Sequence, residues 1–227
     1  MVALATLLVG LMAPPQAHAL KCANLGDGVR VPNSAVLEVD GDLTLEAWIK
    51  PESVDLGGPF HFIVSKNYVG TGFALVLIGK GDNVRLQFET NDTVAYFVPM
   101  RTLRSKWWHV AGVYRAGKDV ALYVNGLEVA RKPAPSGMKP NELPLWIGAS
   151  PWDQFIGSIA DVRVWSVARN SNQIFTDKDR RLKGNEPGLV ANWTFRPSSS
   201  GKTYDITHHT KPGEVLGRAA LIRRARK

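Results

Sequence analysis

The chain predicts an all-β fold: an antiparallel two-sheet sandwich of jelly-roll type, with one short helix near 171–182. Three observations predict it. Apolar residues recur at every second position through most of the chain, the period of a strand with one buried face. Gly, Pro, Asn and Asp break these segments at short intervals, as turns require. Only one stretch, from Asn170 to Leu182, has helical spacing.

The elements follow in chain order. Val2 to Met12 is apolar and uncharged, and Pro14-Pro15 and Ala17-His18-Ala19 follow it. This reads as a signal peptide over 1–19, with an apolar core too short to span a bilayer. It departs from the usual pattern in having no Lys or Arg before the apolar run. The expected location is therefore secreted, either extracellular or periplasmic. No later segment is apolar for long enough to suggest a transmembrane span. Residues 20–217 read as one domain, because no low-complexity linker or fixed-period repeat divides them. Cys22 is the only cysteine, so no intrachain disulfide can form, and it is expected to pack in the first strand.

Leu43, Leu45, Ala47 and Ile49 alternate with Thr44, Glu46, Trp48 and Lys50 up to Pro51. Val84, Leu86 and Phe88 alternate with Arg85, Gln87 and Glu89, which implies a sheet face open to solvent. Strands are expected at Trp108–Tyr114 and Val120–Val124, and Asn125-Gly126 then makes a type I′ hairpin to Leu127–Ala130. Leu145–Gly148, Ser158–Trp165 and Leu189–Phe195 complete the set. In the helix Ser171 is the expected cap, with Ile174 and Leu182 facing inward. Trp48, Trp108, Trp146, Trp165 and Trp193 lie within strands and are expected to fill the space between the sheets. Arg218, Arg223, Arg224, Arg226 and Lys227 supply five of the eight net positive charges. This 218–227 tail reads as solvated, and with no interleaved aromatics it does not point to a nucleic-acid partner.

Several of these segments resemble the laminin G-like and pentraxin-like jelly rolls of the concanavalin A-like lectin/glucanase superfamily. The likeness is carried by Leu43-Thr44-Leu45-Glu46-Ala47-Trp48-Ile49-Lys50-Pro51, and by Trp108 to Tyr114 with Leu122-Tyr123-Val124-Asn125-Gly126. Phe155 to Trp165, Gly188 to Phe195 and the opening Gly28 to Ser34 complete it in the expected order. The resemblance implies the fold over 20–217 and leaves the activity open, because one fold hosts many functions.

The superfamily's glucanases carry paired carboxylates at alternate positions of one strand, roughly 5 Å apart for retaining hydrolysis. Glu46 stands alone, and Glu89 with Asp92 lacks strand spacing. A lyase site could be assembled from Arg85, Gln87, His109 and Tyr123, but the lyase strand motifs are absent. There is no Gly-x-Ser-x-Gly elbow, no His-Glu-x-x-His helix and no phosphate-binding glycine loop. The resemblance also raises a structural Ca²⁺, for which Asp27 and Asp161 are the candidate ligands. The early acidic residue of relatives is missing, and Arg196-Pro197 stands where they tend to have carboxylates.

A sugar site needs a stacking aromatic and hydrogen-bonding side chains beside it. Trp152 with Asp153 and Gln154 offers that on the loop Ala149–Phe155, and Arg85, Gln87 and Glu89, joined by Tyr123, offer it on the open face. The leading expectation is a secreted, non-catalytic, lectin-like module binding a polysaccharide or glycan. The alternatives are a protein-binding adhesion module with an extracellular protein partner, and a polysaccharide-cleaving enzyme, hydrolase or lyase, with an unfamiliar site.

Overall fold

The computed structural model describes residues 18–53, 58–68, 70–80, 84–91, 93–97, 106–151 and 153–223. The strands, in chain order, are β1 (His18–Cys22), β2 (Gly28–Val31), β3 (Leu43–Ser53), β4 (Phe60–Tyr68), β5 (Thr71–Ile78) and β6 (Arg85–Thr90). After them come β7 (Thr93–Phe97), β8 (Trp108–Arg115), β9 (Asp119–Val124), β10 (Leu127–Pro133) and β11 (Leu145–Ile147). The last are β12 (Ile156–Trp165), helix α1 (Ser171–Asp177), β13 (Leu189–Trp193), β14 (Lys202–Thr203), β15 (Gly213–Leu216) and β16 (Ala220–Arg223).

Among the described residues these strands make two sheets of eight. The first runs β10-β9-β8-β3-β12-β1-β16, with β13 also paired to β12; the second runs β14-β15-β2-β11-β4-β5-β6-β7. The expected antiparallel sandwich is the observed one, and every strand pair is antiparallel. Asn125 and Gly126 have φ of 51° and 83°, the left-handed pair that a type I′ hairpin needs.

The inner faces meet where alternation puts them. Leu45, Gly112 and Leu122 lie in one register row of the first sheet. A Cβ on Gly112 would sit 2.3 Å from the Phe88 ring, which comes from the second sheet. Phe88 is thus a knob filling a hole left by a missing side chain. Cys22 is buried in β1, and burial pushes its thiol up to about 12. A thiolate is the reactive form, so Ellman's reagent should fail to titrate Cys22 in the native protein and titrate it after unfolding. Rapid native labelling would contradict this packing.

The outer face of the first sheet is covered too. Ile174 of α1 packs on Ala111, Val113, Ala121 and Tyr123. Beside this apolar contact lies a buried ionic layer. Glu46, fully buried, is 3.2 Å from His109, 3.6 Å from Arg163 and 3.4 Å from Arg169. Arg163 also donates to the carbonyls of Asp177 at 2.8 Å and Arg180 at 2.7 Å. Those bonds explain why the helix is shorter than its pattern. It ends at Asp177, and Leu182 lies beyond it. The N-cap is Asn170, one residue before the expected Ser171, because the Asn170–Gln173 pair forms a capping box.

The tryptophans are distributed differently from the expectation. Trp108 and Trp193 belong to the central core. Trp48 packs on the outer face of the first sheet with Ala19 and Ala160, donating to the Lys178 carbonyl at 2.9 Å. Trp165 clusters with Leu182 and Leu189 under the Arg169 guanidinium, 3.9 Å from the ring centre. Trp146 is half-buried on the outer face of the second sheet. The physical reason is the strand period: Trp48 and Trp146 each alternate with two core-facing neighbours, so they point the other way.

At the end of β4, buried Lys66 places its ammonium among four oxygen acceptors. They are Asn33 Oδ1 at 2.9 Å, the Asn141 carbonyl at 2.7 Å, Asn141 Oδ1 at 3.2 Å and the Leu143 carbonyl at 2.6 Å. Burial draws its pKa down to about 8, with Glu38 and Glu142 pulling the other way.

Residues 1–17 of the expected leader lie outside the described residues, and its last two, His18 and Ala19, pair with Arg223 and Ile222. Residues 220–223, read from sequence as part of a solvated tail, form an edge strand. Leu221 packs against the core and Ile222 against the Trp48 cluster. The tail's remaining residues, 224–227, lie outside the described ones.

Candidate functional site

The outer face of the second sheet carries a continuous row of side chains. Strand register sets Glu214 beside Arg30, Arg30 beside Trp146, and Trp146 beside Ser65. It then sets Ser65 beside Ala74, Ala74 beside Glu89, and Glu89 beside Val94. Directly opposed residues share a face, so the row crosses the sheet from β15 to β7.

Its members are tied to one another. The Arg30 guanidinium lies 6.0 Å from the centre of the Trp146 ring and 3.8 Å from Glu214. Ser65 Oγ donates to Asn67 Oδ1 at 2.7 Å, and Asn67 Nδ2 donates to Glu89 Oε2 at 3.2 Å. That last bond spans β5, where the small Gly72 and Ala74 stand in register with Asn67 and Glu89. The Gln87 amide donates to the other Glu89 oxygen. Glu89 is half-buried, and burial raises its pKa, opposed by the Gln87 bond and the charge of Arg85. The result is a pre-arranged strip: a flat aromatic with a cation beside it, then a carboxamide anchored by the buried Ser65 hydroxyl, and a carboxylate.

The residues expected from sequence fall unevenly on this surface. Arg85 is exposed and Glu89 half-exposed, as an open face requires. Gln87 is only 6% exposed, its amide spent on Glu89. The face is therefore less open than alternation alone implies, since Ala74 and Val76 of neighbouring β5 are also buried. Tyr123 does not join it. It lies in the first sheet, fully buried under α1, with its hydroxyl donating to Glu128 at 3.0 Å. The cause is the helix, which covers a face that the strand pattern leaves open.

Trp152 lies outside the described residues. Its neighbours hold loops together: Asp153 accepts from Gly58 N at 2.9 Å, and Gln154 accepts from Gly26 N. The loop is closed by the Ala149–Gln154 bridge and by Ser150 N donating to the Asp153 carbonyl at 2.7 Å.

Asp27 and Asp161 do not fit calcium. A Ca²⁺ site needs six to eight oxygens, whereas these carboxylates are surrounded by donors. Asp27 accepts from the backbone of Ala23 and Asn24 at 2.8 Å each and of Arg218 at 2.6 Å. Asp161 accepts from Asn192 Nδ2 at 2.8 Å and from Arg163. Among the described residues no group of three or more His, Cys, Asp or Glu converges to hold a metal.

Sequence reading missed Trp146, Arg30 and Asn67 as half-exposed groups of this face; Ser65 beside them is buried. The signal for Trp146 was present, because core-facing Leu145 and Ile147 flank it.

Residues 23–175 match the profile of a family described as the concanavalin A-like lectin/glucanases superfamily. Among solved structures, a candidate carbohydrate-binding protein from Bacteroides ovatus is similar at TM-score 0.71 and 21% identity over 92% of this chain. The chain spans 60% of that protein's length. A heptameric SAP-like pentraxin from Limulus polyphemus is similar at TM-score 0.57 and 19% identity, over 74% of this chain and 84% of that one. The binding domain of Paraclostridial Mosquitocidal Protein 1 is similar at 0.53 and 18%, over 69% and 42%. At these identities the likeness is one of fold. No curated protein matches the sequence.

Proposed function

For a chain that belongs to the concanavalin A-like lectin/glucanase superfamily, we propose a secreted, non-catalytic module that binds carbohydrate along the outer face of its second sheet. The observation that carries this reading is the row from Arg30 through Trp146 and Ser65 to Glu89. A pyranose presents apolar C–H faces and a rim of hydroxyls. Trp146 offers the flat partner for the face, and Asn67, Glu89 and Arg30 offer acceptors and donors for the rim. The Bacteroides ovatus protein of like fold, described as a candidate carbohydrate-binding protein, supports the same reading.

Among the described residues of this strip no two carboxylates stand close enough together for glycoside hydrolysis. Glu89 and Glu214 are separated by five strand steps in the sheet order, on the order of 20 Å at about 4.8 Å per step. Glycosidases hold theirs about 5–10 Å apart.

Trp146→Ala is expected to weaken binding on a neutral glycan array about tenfold or more, as truncating a central aromatic anchor does, while the melting temperature changes little. Undiminished binding in that variant would remove the site. Release of oligosaccharides from a polysaccharide panel would remove the non-catalytic reading, and capture of a protein with no glycan bound would favour adhesion.

A further inference from the structure

A groove of about 1040 Å³ opens between the segment after α1 and the loops after β13. Arg181, Lys183, Arg196, Tyr204, Ser198 and Ser199 line it, all of them exposed. Its one carboxylate, Asp205, is buried and already engaged. It accepts from the backbone of Asn192 and Thr207 at 2.8 Å each and from Thr207 Oγ1 at 2.6 Å.

The three cations differ from their neighbours in having no partner among the described residues. Arg180, next in sequence, is 3.1 Å from Asp177 and 3.5 Å from Glu186. Arg115, Arg131, Arg163 and Arg169 are all paired as well. The backbone that presents the unpaired ones is fixed from behind. Arg163 holds the Arg180 carbonyl at 2.7 Å, directly before Arg181. Phe195, fully buried, takes φ of 53° and turns the chain directly before Arg196. A non-glycine residue in that region is strained, as functional positions tend to be. The cations also act beyond the groove. The His18 imidazole is pushed below its ordinary value first by burial, then by Arg223, Arg196 and Arg181.

We propose that this groove binds the acidic groups of a polysaccharide, uronate carboxylates or sulfate esters, as a subsite separate from the Trp146 strip. The proposal rests on the carbohydrate reading and names a class of ligand within it. Unpaired guanidinium groups match carboxylate and sulfate oxygens in forked pairs, and the serine hydroxyls suit the sugar between them. Among the described residues Tyr204 and His208 are the two rings lining the groove, whereas single-stranded nucleic acid is held by a run of successive stacked rings.

The test is titration calorimetry with polygalacturonate, dextran sulfate, neutral dextran and an oligothymidylate. The wild type, Arg181→Gln/Arg196→Gln and Trp146→Ala are compared. The expected result is wild-type binding to at least one acidic polysaccharide, weakening with added salt, and a loss of about tenfold in the double variant, the scale of two exposed ion pairs. The two acidic polymers distinguish carboxylate from sulfate. Both arginines are exposed, so an unchanged melting temperature confirms that the fold is intact. Equal acidic-polymer binding in the double variant overturns the groove, and so does oligothymidylate binding of matching strength. If Trp146→Ala loses glycan while the double variant keeps the acidic polymer, the carbohydrate reading stands and the groove falls. If the wild type binds no glycan of either kind, both fall.

Discussion

Glu46→Ala is expected to cost about 3–5 kcal/mol of stability, the penalty for removing one partner of a buried ion pair. Glu46 is fully buried and faces two guanidiniums that are themselves 1% and 3% exposed. Without the carboxylate, Arg163 and Arg169 keep their charge in a site that water does not reach. The damage extends to the cover of the sheet, because Arg163 also holds the carbonyls at the end of α1. The loss has a pH signature. Burial alone would raise the Glu46 carboxyl, but the His109 bond and the charges of Arg163, His109 and Arg169 outweigh it and hold it below its ordinary value. A carboxyl lowered in the folded state adds stability above its unfolded pKa, and that stability disappears as pH falls through the folded value. Urea unfolding should therefore show the variant closest to the wild type in acid and furthest from it at neutral pH. A neutral-pH difference below about 1 kcal/mol, the scale of a surface pair, would refute the layer's role.

Phe88→Ala is expected to cost a similar amount, about 3–5 kcal/mol, for an unrelated reason. Its ring stands over Gly112 of the opposite sheet, so truncation leaves a void between two sheets that strand pairing keeps from collapsing. The converse change, Gly112→Ala, places a methyl group 2.3 Å from that ring and is expected to cost about 1–3 kcal/mol by overpacking. Because the two side chains meet, the effects should not add. Phe88→Leu with Gly112→Ala should unfold at a higher urea concentration than the sum of the two single changes implies. Strict additivity would show that the contact does not set the sheet spacing.

How much was legible in the sequence depended on the range of the forces involved. Period-two alternation in Leu43–Ile49 and in Leu86 and Phe88 is a local property, and it put those residues in the core. Asn125-Gly126 announced its turn by backbone geometry alone. The end of α1 was illegible because Arg163 and Trp48, far away in sequence, claim its final carbonyls. Tyr123 was misplaced for the same kind of reason: a strand pattern does not say which face a later helix will cover. The ionic layer around Glu46 looks in sequence like isolated charges in separate strands. At the candidate site, Glu89 and Arg85 were visible as polar positions, whereas Trp146 was assigned to the interior for its size. The basic groove draws on residues from 181 to 208, and only the fold reveals which of those cations lack a partner.

The clasp at Lys66 fastens three separate stretches of chain, at Asn33, at β4 and at Asn141 to Leu143, through one positive centre. Oxygen-lined corners of this kind are commonly closed by a dissolved ion, which comes and goes with its concentration. Here the positive centre is covalently leashed, so no chelator can strip it. That join is thereby insulated from the mineral content of whatever fluid surrounds the protein.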